Sequence, residues 1–249
     1  MTSASTAAII LAGGLGTRLR SAVPDLPKPM APIAGRPFLA HQMDHWIAQG
    51  VRHFVLSVGY RAAAISAHFG RSYRGAALDY VVETTPLGTG GALLLAAAQL
   101  TQSTHWIQSA PDAPALLLNG DTYFDVQLAA LQAHARALDA QWCLALFRST
   151  DAQRYLGVDV GPDGRLHGLR STAPTSAQGQ LANGGVYLFH PAALHGLQVE
   201  PSRPVSLENE LFPQWLAQGQ RFAGLECRGA FIDIGVPDDY ARAASVLPS

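Results

Sequence analysis

The feature that most constrains this chain is a rhythm. Through residues 1–150, short apolar runs alternate with segments of helical period. Strand-length runs fall at 8–12 (AIILA), 54–58, 78–83, 115–118 and 143–147. Between them, helical patterns occupy 38–49 (stopped by Gly50), about 62–69, 91–100 and 126–138. Strands that read as continuous apolar runs, separated by helices, belong to βαβ units whose parallel sheet is covered on both faces. The expected fold class is α/β, with a Rossmann-like, mainly parallel sheet flanked by helices.

After about residue 150 the character changes. The runs 157–160 and 166–169 flank Gly161-Pro162-Asp163-Gly164, a hairpin turn by composition. Strands at 185–189, 222–227 and 231–234 alternate with helices near 207–217 and 238–245, so the sheet should be mixed. Residues 173–180 are polar and aperiodic and read as an exposed, mobile loop, and 101–114 is a second irregular stretch. Neither an internal repeat nor a hinge-like linker interrupts the chain, so one domain spanning 1–249 is expected.

Composition narrows the functions. Apolar residues make up 48% of the chain, charged residues only 14%, and the formal net charge is −1. That balance gives no polyanion-binding face and argues against a nucleic-acid partner. The first six residues lack a basic signal segment, and no apolar run reaches membrane-span length, so a cytoplasmic protein with no membrane association is expected. Cys143 and Cys227 lie far apart without metal-ligand spacing and read as free thiols. Small apolar helices such as 92–100 suit either the core or a homodimer interface.

Of the 17 basic residues, 16 are arginines and only Lys28 is a lysine. Solvated positions accept either residue, whereas a site needing a compact ammonium does not accept the planar guanidinium. Lys28 is therefore singled out before any motif is considered. Prolines on both sides, Pro27 and Pro29, point to a stiff, extended segment that delivers a point charge. The loop Gly13-Gly14-Leu15-Gly16-Thr17-Arg18 follows the first strand directly. At the carboxyl end of a parallel strand, such a loop can direct backbone N–H groups at a phosphate, and Arg18 can add a bidentate contact. Its spacing fits neither a dinucleotide fingerprint, since Leu19 stands where glycine is needed, nor a Walker A loop. The plain structural alternative is an ordinary glycine turn.

The segment from Leu11 to Leu19, followed by Pro27-Lys28-Pro29, resembles the signature of nucleoside-triphosphate-dependent sugar-1-phosphate nucleotidyltransferases. Later landmarks fall in the family's order along essentially the whole chain. The run from Arg18 through Pro32 is most similar to the D-glycero-D-manno-heptose 1-phosphate guanylyltransferases. The resemblance implies a GT-A-like fold with a nucleotide-binding part at about 1–150 and a sugar-phosphate-binding part at about 151–249. It implies a triphosphate cradle formed by Gly13, Gly14, Gly16, Thr17 and Arg18, with Lys28 at the attacked phosphate and Leu11 and Ala12 among the nucleotide-binding residues. Gly88 and Thr89, in Pro86-Leu87-Gly88-Thr89-Gly90-Gly91, match the turn that holds base and ribose. Glu83 and Asn119 join the nucleotide side.

Asp121 and Asp233 each end or sit within an apolar strand, where an unpaired carboxylate is costly. Two carboxylates meeting in space suit Mg²⁺, which takes one or two of them together with phosphate oxygens and water. A local capping or turn role is the alternative for Asp121. On the acceptor side, the resemblance implies Asn183, Gly184 and Glu208 against sugar hydroxyls. Ser206 also reads as the cap of the helix that carries Glu208. One departure stands out: where many relatives carry Glu-Lys after the hairpin, this chain reads Gly168-Leu169-Arg170-Ser171-Thr172. Arg170 is the candidate to hold the sugar phosphate.

The implied reaction is attack of a sugar 1-phosphate oxygen on the α-phosphorus of a nucleoside triphosphate, with pyrophosphate leaving. The most similar subfamily would use GTP and D-glycero-α-D-manno-heptose 1-phosphate, giving GDP-heptose for cell-surface polysaccharide. Arg18, Lys28, Asp121 and Asp233 would form the catalytic set. Three alternatives stand beside this reading: a uridylyl- or guanylyltransferase for another sugar phosphate, a glycosyltransferase, and a non-catalytic nucleotide-sugar sensor. A glycosyltransferase would carry Asp-x-Asp, a tripeptide missing from the sequence. A sensor would be expected to lose the lysine or the carboxylates.

Overall fold

The computed structural model describes residues 6–102, 113–151, 154–170, 179–194 and 203–248. Its centre is a ten-stranded mixed sheet. The parallel heart runs β6 (Ala76–Val82), β4 (His53–Val58), β1 (Ala7–Ala12), β7 (Ala115–Asn119), with Ile9 of β1 level with Val55 and Leu117. Side chains alternate across the sheet with the period of two that strand geometry dictates. Ala8, Ile10 and Ala12 enter one core with Leu56 and Leu118, while Ala7 and Ile9 enter the other with Val55 and Leu117. Both faces are covered. The helices Phe38–Ala48, Ala62–Phe69 and Leu128–Ala137 pack on the first, and Gly88–Gln102 and Phe212–Ala217 on the second.

Three short strands decorate this heart. β2 (Pro32–Ile33) and β3 (Arg36–Pro37) form a hairpin, and β5 (Ser72–Tyr73) closes the sheet edge against β6. β8 (Thr122–Phe124) leaves the sheet just beyond β7.

The second part of the chain extends the same sheet. β12 (Gln180–Phe189) enters antiparallel to β7 and also pairs along β9 (Trp142–Ser149). β10 (Gly157–Val160) and β11 (Leu166–Arg170) form the expected hairpin beyond it, and β13 (Phe222–Glu226) lies parallel to β9. Between Asn183 and Tyr187 the register of β12 against β9 slips, four residues opposing the step from Leu146 to Leu144. This bulge falls on Gly184 and Gly185, and Gly185 adopts φ +67°, a conformation costly for a side chain. β14 (Phe231–Asp233) pairs with β8 as a separate ribbon, so Asp233 lies opposite Thr122. A third apolar cluster, including Leu19, Ile33, Phe38, Tyr123, Ile232, Ile234 and Ala243, fastens that ribbon to the segment before β2 and to the Pro237–Val246 helix.

Several expectations need correction. Lys28 is not on an extended segment: Pro27 is extended, but Lys28–Met30 forms one 3-10 turn, with Pro29 at a position that needs no donor. The 91–100 helix begins earlier, at Gly88, and runs to Gln102. Gln180 is a buried residue of β12 rather than part of an exposed loop; 171–178 and 103–112 fall outside the described residues. The 207–217 helix opens with a wide π turn over Leu207–Leu211 before the α-helix Phe212–Ala217. Pro213 lacks the N–H that would continue an α-helical ladder, which accounts for the wider turn. Ser206 caps it as expected, its hydroxyl accepting from Asn209 N at 3.1 Å.

Trp142 anchors the second face. It is fully buried, stacks on Phe189, Trp215 and Phe222, and donates its indole N–H to Gln220 at 2.9 Å. Trp142→Ala should destabilise the protein by about 3–5 kcal/mol. Urea unfolding should register the loss as a lower midpoint; an unchanged midpoint would mean that this cluster does not carry the fold.

Candidate active site

The strands of the parallel heart end on one side of the sheet, and there their loops enclose a cavity of about 290 Å³. Its walls come from the loop after β1 (Leu11 to Leu15), Lys28 and Pro29, Glu83, the start of the Gly88–Gln102 helix, and Asn119-Gly120-Asp121 after β7. The loops meet backbone to backbone. A methyl group on Gly120 would sit 2.5 Å from the Leu11 carbonyl, and one on Gly59 would sit 2.8 Å from the Gly13 carbonyl. The sequence needs glycine here because no side chain fits between the loops. Glu83 follows β6. Its carboxylate accepts from the Ser57 hydroxyl at 3.0 Å and from Leu87 N at 3.3 Å.

At the floor, the Lys28 ammonium donates to Asp121 Oδ2 at 2.5 Å. The Lys28 side chain is 11% exposed and that of Asp121 35%, so the pair opens to the cavity through the carboxylate. Gln42, buried in the Phe38–Ala48 helix, holds the turn beneath by donating to the Asn119 and Thr122 carbonyls at 2.8 and 2.7 Å. Asp233 is brought alongside: Ile234 N donates to the Asp121 carbonyl at 3.0 Å. A side chain on Gly235 would begin 2.7 Å from Asp233 Oδ1 and 3.2 Å from Lys28 Nζ, which places these two groups at a common point. Burial, and next the charge of Asp121, push the Asp233 carboxyl above the usual carboxylate range; Lys28, the Gly235 N–H and Arg154 pull it back.

A second network stands beside the cavity. Glu208 accepts from the Thr89 hydroxyl at 2.7 Å and from the Tyr187 hydroxyl at 3.0 Å. Tyr187 in turn accepts from Asn183 Nδ2 at 2.7 Å, and Thr89 accepts from Leu207 N at 2.8 Å. Complete burial, and then the charge of Glu208, hold the Tyr187 phenol well above its ordinary pKa, so it remains a donor. The network joins the first turn of the Gly88–Gln102 helix to the β12 bulge and to the π turn.

Of the residues singled out in the sequence, Leu11, Ala12, Gly13, Gly14, Lys28, Glu83, Gly88, Thr89, Asn119 and Asp121 line the cavity. Asp233 adjoins its floor. Asn183, Gly184 and Glu208 lie beyond Thr89, with Gly184 against the Phe124 ring. Gly16, Thr17 and Arg18 are outside the lining: they belong to a 3-10 turn whose Arg18 is exposed. The backbone of Arg170 pairs with Gly157, while its side chain falls outside the described residues. Gln42, Ser57, Tyr187 and Arg154 were not anticipated. A polar glutamine on the buried face of a helix was the one sequence signal that could have found any of them.

A glycine loop, one lysine and two carboxylates, gathered where the parallel strands end, define an α/β protein of the nucleotidyl- or phosphoryl-transferring kind. The chain belongs to the nucleotidyl transferase family, which it matches over residues 7–249. It is 36% identical to a D-glycero-alpha-D-manno-heptose 1-phosphate guanylyltransferase of Aneurinibacillus thermoaerophilus, over 96% of this chain and 97% of that protein. The corresponding protein of Campylobacter jejuni is 34% identical over 94% and 96%. Among solved structures, HddC from Yersinia pseudotuberculosis complexed with GMP-PN is 29% identical and superposes with a TM-score of 0.76, covering 96% of this chain and 98% of that one.

The buried hydroxyl of Tyr187 satisfies two half-buried side chains at once. Tyr187→Phe leaves the Asn183 amide and one Glu208 oxygen without it and should cost about 1–3 kcal/mol. Chemical denaturation would measure this, and a variant as stable as the parent would show that the network does not hold the site together.

Proposed function

We propose that this chain is a sugar-1-phosphate guanylyltransferase. Its reaction is GTP plus D-glycero-α-D-manno-heptose 1-phosphate, giving GDP-heptose and pyrophosphate. The observation that carries the reading is the Lys28–Asp121 pair, set with Asp233 beneath a glycine loop that lines the same cavity. The two relatives named for this activity, matched along nearly their full lengths, support the choice of base and sugar. A nucleoside triphosphate substrate supports a cytoplasmic enzyme.

In this reading the loop from Leu11 to Gly14 receives the triphosphate on its backbone N–H groups, and Thr17 and Arg18 reach it from the rim. Lys28 exchanges Asp121 for the α-phosphate, where its charge offsets the negative charge that builds up during attack. The nucleophile is already an anion, so no general base is required. The Asp121 and Asp233 carboxylates fit a hard divalent cation: both offer only oxygen, and Asp233 is held above its usual range by burial and then by the charge of Asp121, both of which a cation would relieve. Bound there, Mg²⁺ would lower the repulsion between two polyanions and help neutralise the leaving pyrophosphate. Asn183, Gly184 and Glu208 position the sugar, and Arg170 takes its phosphate.

Glu83 supports guanine in particular. Its oxygens each accept one hydrogen bond within the protein and retain capacity for another. Guanine presents two adjacent donors, N1–H and N2–H, whereas uracil, thymine, cytosine and adenine pair each donor with a neighbouring acceptor. A carboxylate therefore matches guanine and repels the others, and mismatched polar groups discriminate strongly.

Pyrophosphate release, measured with five nucleoside triphosphates against a panel of sugar 1-phosphates, tests the assignment. Turnover confined to GTP with the heptose phosphate is expected; another active pair would discard this base or sugar. Lys28→Ala should lower turnover by about 10²–10³, the loss seen when one preorganised charge-stabilising group is removed. Glu83→Gln should lower kcat/KM for GTP by about 10–100-fold, the value of hydrogen bonds to a charged acceptor. Unaltered GTP preference in that variant would move base selection elsewhere.

A further inference from the structure

Arg154 lies between β9 and β10 and contacts Asp233 without lining the cavity. Its guanidinium forms an ion pair with Asp239, in the first turn of the Pro237–Val246 helix. The same Nη2 donates to the Asp233 carbonyl at 3.3 Å and lies 3.7 Å from Asp233 Oδ2. Its planar group also lies over the Tyr155 ring, 4.9 Å from the centroid. Asp239 is only 4% exposed and is tied from its other oxygen by Arg242 Nε at 2.5 Å. Charges thus alternate along one line: Arg242, Asp239, Arg154, Asp233, Lys28, Asp121.

We propose that Arg154, locked by Asp239, is a positioning residue that fixes the backbone and carboxylate of Asp233 for metal binding. The inference rests on the assignment of Asp233 to the metal. Asp233 stands at the end of a three-residue strand in a two-stranded ribbon, and such a ribbon holds a ligand loosely by itself. The carboxylate has one local tether, Gly235 N at 2.7 Å to Oδ1. Arg154 supplies the other, reaching the carbonyl and facing Oδ2. A planar fork can face two carboxylates and a carbonyl together, whereas a single ammonium has no such fixed geometry. Groups that orient metal ligands in this way commonly govern affinity by about 10–100-fold when removed.

The test compares GTP affinity by calorimetry in Mg²⁺ and in EDTA, using the full chain without sugar phosphate. In the parent, Mg²⁺ should tighten GTP binding. Arg154→Met should cut that metal-dependent gain by about 10-fold or more, leaving affinity in EDTA within about twofold of the parent. Asp239→Asn should act in the same direction. Arg154→Lys keeps a cation over Asp239, which protects the fold should the methionine variant lose it, and its gain should still be reduced. A folded Arg154 variant with the parent's full gain would reduce the arginine to a structural strut and overturn the proposal. Steady-state pyrophosphate release gives the second check: a defect confined to KM for the sugar phosphate would make Arg154 a substrate contact and overturn the proposal as well. Asp233→Asn separates the two assignments. If it retains the parent's gain, the metal reading of Asp233 fails and the proposal with it; if it loses the gain while the Arg154 variants keep it, only the positioning role fails.

Discussion

The site depends on one ion pair, between a lysine near the start of the chain and an aspartate 93 residues later. The Lys28–Met30 turn has no place in the central sheet. The third apolar cluster holds its surroundings from behind, and Asp121 takes its lysine from the front. The carboxylate is itself set by a turn that only glycine can make, because Gly120 presses against the Leu11 carbonyl. A half-buried charge pair of this kind contributes little net stability, since desolvation offsets the attraction. What it does supply is a lysine and a carboxylate held in register, each with an alternative partner once an anion and a cation arrive.

The parallel heart was legible because its strands are buried on both faces and contain almost nothing polar. Ala7–Ala12 and Ala115–Asn119 could hardly have been read otherwise. Boundaries drifted where local rules conflict with packing. Gly88 and Thr89 look like a turn, yet they begin the helix because Thr89 Oγ is occupied by Leu207 N and Glu208. Lys28 looked extended between two prolines, but a proline after the first residue of a 3-10 turn is compatible with that turn. In the site, residue type was informative where it was rare. The single lysine and the strand-end aspartates stand out in a chain with few charges. Gln42, Tyr187 and Arg154 are ordinary residue types whose importance arises from contacts made across long stretches of chain, 77, 21 and 79 residues away, and no local pattern records them.

β12 joins the two parts of the molecule. Its second half pairs with β7, next to the glycine loop, and its first half touches β10 at Ala182. The bulge at Gly184 and Gly185 turns the strand between these duties. Because Asn183 and Tyr187 flank that bulge and bond one another, the bend of the strand and the order of the Glu208 network are one structural fact. Neither part could shift against the other without breaking hydrogen bonds that meet at the buried Tyr187 hydroxyl.

The scarcity of lysine has a practical side. Apart from the chain's amino terminus, Lys28 is the one primary amine in the sequence. Its ammonium is screened by Asp121 yet borders the cavity. An amine-selective label therefore has a single internal address, and that address lies where the substrates are expected to meet. The rate at which that amine reacts becomes a direct gauge of whether the cavity is filled.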